Sequence, residues 1–110
     1  MPTLYNAQNV TDTIDKTLFE YSYQIDVHNP INGVRKIAFK TAQAERNNET
    51  GEEKLLNYLR TLEEVYDGNE TFNLISPVDG TVVGTMDYDT VFVSLYSLFF
   101  HVATKADNNG

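Results

Sequence analysis

Residues 19–40 read FEYSYQIDVHNPINGVRKIAFK, and this stretch sets the fold class. Phe19, Tyr21, Tyr23, Ile25 and Val27 alternate strictly with Glu20, Ser22, Gln24 and Asp26, the period-2 pattern of a strand with one apolar face. The strand runs into Asn29-Pro30-Ile31-Asn32-Gly33, and Asn-Gly is a strong hairpin signal. A three-residue loop, Ile31-Asn32-Gly33 with Gly33 left-handed, sets Val27 opposite Ile37 and Ile25 opposite Phe39. A two-residue loop would set Val27 opposite Ala38 and mix the faces, so the longer loop is expected.

The same chemistry recurs downstream. Residues 71–76 and 81–86 flank Pro77-Val78-Asp79-Gly80, a second hairpin. Aligning Pro30 with Pro77 places Ile31 on Val78, Asn32 on Asp79, Gly33 on Gly80, Ile25 on Phe72, Val27 on Leu74 and Phe39 on Met86. Internal duplication and convergent use of one turn chemistry both account for this match. Ile37 falling on Gly84 departs from it.

Two helices are expected between and after the hairpins. Thr50-Gly51-Glu52-Glu53 fits a capping box. After it, Leu55, Tyr58, Leu59, Leu62, Val65 and Tyr66 form a stripe at helical spacing, with Glu53, Asn57, Arg60 and Glu64 opposite and Asp67-Gly68 as the stop. A short helical turn is expected over 42–46. The second helix covers 89–105. There Thr90, Ser94, Ser97, His101 and Lys105 recur every three or four residues as a narrow polar stripe, and almost everything between them is apolar. Asp87 or Asp89 caps its start and Lys105 suits its end. The expected fold is α+β, ordered ββαββα, a four-stranded antiparallel sheet with two helices on one face. Residues 1–15 read as an irregular N-terminal arm and 16–106 as one domain of two ββα units, 16–68 and 69–106. Residues 107–110 read as a flexible tail.

Composition narrows function mainly by exclusion. The chain of 110 residues has no cysteine, and its formal charge is −8. Direct nucleic-acid binding is disfavoured by that sign, and thiol chemistry is absent. The opening residues lack the basic start and apolar stretch of a secretory signal, which makes a cytoplasmic location the expectation. Asn-x-Thr triplets at Asn9, Asn48 and Asn69 then read as loop chemistry. Residues 91–103 are too short and too interrupted to span a membrane.

No residue set reads as an active site. His28 and His101 have no identified partner, and the spacings that make a transition-metal site are missing. Asp87-Tyr88-Asp89 has the form of an acidic cation pair, but its place before a helix favours capping. Ser97 and His101 lie one helical turn apart, without the acid and oxyanion hole that nucleophilic catalysis needs. Gly80 and Gly84 do not open a phosphate loop, and Gly84 reads as a bulge or a close approach. No catalytic, cofactor-binding or metal residue is assigned, and no cofactor is expected.

The strongest functional signal is the last helix, which is apolar around most of its circumference and must be covered on more than one side. The expectation is a non-enzymatic interaction or assembly protein that binds itself, with another protein as a further partner, through Ile75, Val83, Thr90, Ser94, Tyr96, Ser97, Phe100 and His101. A composition rich in Asn and Thr, without Cys or Trp, is compatible with a virion or phage-encoded component. Two alternatives stand beside it. The acidic belt of Glu49, Glu52, Glu53, Glu63, Glu64, Asp67 and Glu70 would suit a nucleic-acid mimic that occupies a basic protein, and an oligomer interface would suit a small ligand or an enzyme site.

Overall fold

A computed structural model describes residues 3–11 and 13–109. Met1, Pro2, Asp12 and Gly110, which belong to the arm and tail read from the sequence, lie outside the described residues. The elements run β1 (Tyr5–Thr11), β2 (Asp15–His28), β3 (Lys36–Asn47), β4 (Glu53–Val65), β5 (Thr71–Ile75), β6 (Val82–Asp87) and α1 (Tyr88–Asn109). Strands β1 to β4 form a curled antiparallel meander in chain order, and β5 and β6 form a separate two-stranded sheet. The α+β class stands. The order ββαββα does not, because among the described residues one helix follows six strands.

The first hairpin has the register that its apolar pattern requires. Val27 pairs with Ile37 and Ile25 with Phe39, and Gly33 takes the positive φ of 117° that the turn needs. The strict alternation of β2 breaks, however, at a bulge between Ser22 and Gln24. Below it, Tyr21 pairs with Ala42 and Phe19 with Ala44, even-numbered positions of β3, whereas Ile25 and Val27 pair with odd-numbered ones. Side chains alternate across a strand, so the bulge turns Phe19 and Tyr21 to the opposite face from Ile25 and Val27. Phe19, Ala42 and Ala44 are buried together there, the small alanines leaving room for the ring.

The expected helix over 53–66 is the strand β4, and the expected helical turn over 42–46 lies within β3. The source of the misreading is visible in the register. Phe39, Thr41, Ala42, Gln43 and Ala44 pair with Leu62, Arg60, Tyr58, Asn57 and Leu55, so β4 carries one extra residue at Leu59 and another at Leu56. Two bulges three residues apart convert the period of 2 into same-face spacings of three, Leu55-Tyr58-Thr61 and Lys54-Asn57-Arg60, which a helix also produces. Thr50 caps no helix. Its Oγ accepts from the Glu52 N–H inside the β3–β4 loop, where Asn47 Oδ1 accepts from the N–H groups of Glu49 and Thr50 and Gly51 adopts φ 78°. Residues 5–11, read as part of an irregular arm, supply the edge strand β1 with its own bulge between Tyr5 and Gln8.

The second hairpin keeps the correspondence drawn from the turns. Phe72 pairs with Met86 as Ile25 pairs with Phe39, and Leu74 pairs with Gly84 as Val27 pairs with Ile37. A bulge at Val83 adjoins Gly84, where a Cβ would make only ordinary van der Waals contact, 3.6 Å from Leu74 Cδ1. The likeness ends at the hairpins, because one leads into a strand and the other into a helix; two equivalent ββα units are not present.

Candidate interaction surface

Helix α1 starts where the sequence places it. Asp87 is the N-cap, its Oδ1 accepting from the Thr90 N–H at 2.6 Å, and this bond holds the carboxyl below its usual range. The root of the helix is then fixed by a mixed cluster. Phe92 is only 3% exposed. It meets Tyr66 edge to face at 5.5 Å, and the Arg35 guanidinium lies 3.7 Å above the Tyr66 ring. Asn29 Nδ2 donates to the Phe92 carbonyl and the Tyr66 hydroxyl to Asp89, tying the first hairpin turn and the end of β4 to the helix. Tyr88 packs on Phe72 and donates to Glu64; burial first, then the charge of Glu64, pushes its pKa up.

Past Leu95 this support thins to one side, where Tyr96 and Phe99 border Val27 and Asn29. Tyr96, Leu98, Phe99, Phe100 and Val102 are all exposed, Phe99 at 66% and Phe100 at 62%. Of the residues singled out from the sequence for an interface, Thr90, Ser94, Tyr96, Ser97, Phe100 and His101 lie exposed on α1, and Ile75 and Val83 lie exposed on the second hairpin. Ser97 Oγ donates to the Val93 carbonyl within the helix rather than to His101. The exposed apolar side chains Val93, Leu98 and Val102 on the same helix went unnamed, although the near-continuous apolar run around the polar stripe was the signal for them, and Phe99, which the pattern placed inward, is exposed.

The acidic belt sits on β4 and its flanking loops, not on a helix face. Glu63 and Glu53 pair with Ala38 and Arg46, while Glu64 pairs with Ile37, so strand alternation divides the belt between two faces. Glu53 is 3.3 Å from Arg46 and Glu63 is 3.6 Å from Lys36. Asp87 and Asp89 are engaged in the cap and the Tyr66 bond. Among the described residues no three His, Asp or Glu side chains gather into a metal-binding group, and no helix is long and apolar enough to cross a membrane.

One buried acid escaped the sequence reading. Glu20 is buried, accepting from Arg60 Nε and Nη2 at 2.7 and 2.8 Å and from the Thr41 hydroxyl at 2.7 Å. The bidentate guanidinium, with Thr41 second, lowers its pKa to about 2. The pair joins β2 to β4 across β3. Beside it opens an apolar cleft of about 440 Å³ whose walls include Tyr5, Phe39 and Leu62. A second cleft, of about 270 Å³, lies between Ile37, Phe39, Phe72 and the root of α1, and the two meet at Phe39. No protein-family model, curated protein or solved structure matches the chain.

Proposed function

We propose that this chain is a non-enzymatic assembly protein whose working state is a homo-oligomer, with the second hairpin and α1 as the principal contact surface. The observation that carries the reading is surface area. The chain exposes 8114 Å², about 1,900 Å² more than the roughly 6,200 Å² typical of a folded monomer of this mass. Much of the helix contribution comes from aromatic and aliphatic side chains that compact monomers seldom leave in water. The second hairpin also leaves Ile75, Val82 and Val83 exposed, which favours coverage by another chain. A virion component is a setting supported by composition alone. Sedimentation across a concentration series tests the proposal. A species heavier than one chain that persists to low micromolar concentration supports it, and a single 12.5 kDa species throughout opposes it.

A further inference from the structure

We infer that the outer half of α1 from one copy seats in the cleft between Tyr5, Phe39 and Leu62 of a second copy, an inference that rests on the homo-oligomeric reading above. The argument begins with what the helix needs. From Thr90 to Ala103 the residues Thr90, Ser94, Ser97 and His101 make one narrow polar stripe, and residues 104–109 are polar apart from Ala106. A simple pair of helices buries a seam of about two positions in seven. Such a pair would leave most of the apolar circumference of α1 in water, so the receiving surface must have more than one wall.

The cleft provides two. One wall is the sheet face carrying Phe39 and Leu62, which pair directly across β3 and β4. The other is the segment Thr3–Tyr5, held against the second hairpin by the Thr3 N–H donating to the Pro77 carbonyl at 2.7 Å and by the Thr3 hydroxyl near the Ser76 carbonyl. The cleft floor is stiffened by the Glu20–Arg60–Thr41 bonds, so it is formed before a partner arrives.

Reach and area agree. Beyond Leu95 the apolar part of the helix, to Ala103, runs roughly 12 Å at 1.5 Å per residue, with Tyr96 and Phe99 bordering Val27 and Asn29 on one side. Its own root forms one wall of the neighbouring cleft through Tyr88, Val91 and Phe92. The excess exposed area of about 1,900 Å² per copy, doubled across a contact, falls in the range of obligate interfaces rather than transient ones. Transient contacts need far less than this, and a chain that exposes so much is better explained by a partner of its own kind, present whenever the chain is made.

The absence of cysteine allows a clean test by disulfide capture. Leu62→Cys and Phe100→Cys are placed on separate chains, expressed alone and together, and oxidised, with Tyr5→Cys and Val102→Cys as a second pair in case either first variant misfolds. The mass of the unmodified protein is measured alongside by light scattering. A two-chain product that forms only when both members of a pair are present supports the docking. Two results overturn it while leaving the oligomer intact: a two-chain product from Phe100→Cys or Val102→Cys alone, which means helix meets helix, or no mixed product in either pair from a protein that is oligomeric by mass. A one-chain mass for the unmodified protein overturns the homo-oligomeric reading itself, and the docking with it.

Discussion

Glu20 takes three hydrogen bonds from Arg60 and Thr41, and the consequence is a defined acid response. Its pKa is lowered from 4.5 to about 2, so the stability it adds is fully present above pH 4.5 and is lost as pH falls through about 2. Urea midpoints measured from pH 5 to pH 2 should fall more steeply for the native chain than for Glu20→Gln, which cannot titrate at that position; parallel curves would contradict the assignment. Two turn glycines give a second comparison. Gly51 and Gly80 both have φ 78°, where a side chain costs about 1–2 kcal/mol. A Cβ at Gly80 would also stand 3.0 Å from Thr3 Oγ1, against 3.6 Å from Arg46 Nη2 at Gly51. Gly80→Ala should therefore lower the thermal midpoint more than Gly51→Ala. Gly80 and the Asp87 cap were legible because local chemistry dictates them, whereas Gly51 was read into a helix capping box. The Glu20–Arg60 pair was not, since residues forty apart meet only once three strands are in register.

Strand β4 shows where pattern reading loses its footing. Its bulges at Leu59 and Leu56 give it the spacing of a helix, and backbone pairing with β3 decides the outcome. Carbon chemical shifts over 53–65 should be strand-like, with proton contacts across the Phe39–Leu62 pair; helical shifts there would remove the strand and the cleft wall it supplies. The bulge after Ser22 had the same concealing effect on β2, splitting one apolar face into two. The two hairpins and α1, by contrast, were readable in type because turn residues, register and polar stripe are written within short windows. At the start of α1, Asp87→Ala should fray the first turn, lowering ellipticity at 222 nm, because the Thr90 N–H loses its acceptor.

At the scale of the molecule the chain is far from compact. Its radius of gyration is 17.6 Å, against about 13 Å for a typical domain of this length. The shape follows from a curled meander, a hairpin outside the main sheet and a helix anchored mainly at its root, each of which leaves apolar side chains in water. Sequence periodicity made the over-apolar helix visible, but the cleft that we infer receives it depends on long-range strand order that periodicity does not encode. If the outer helix is the contact, Phe100→Asp should weaken self-association roughly tenfold or more, the effect of losing an interface anchor, while leaving the root cluster around Phe92 intact. Multi-angle light scattering on the unmodified chain at micromolar concentration tests the central claim most directly. The expected mass is a whole-number multiple of 12.5 kDa, two or greater, and a mass of 12.5 kDa at every concentration would contradict it.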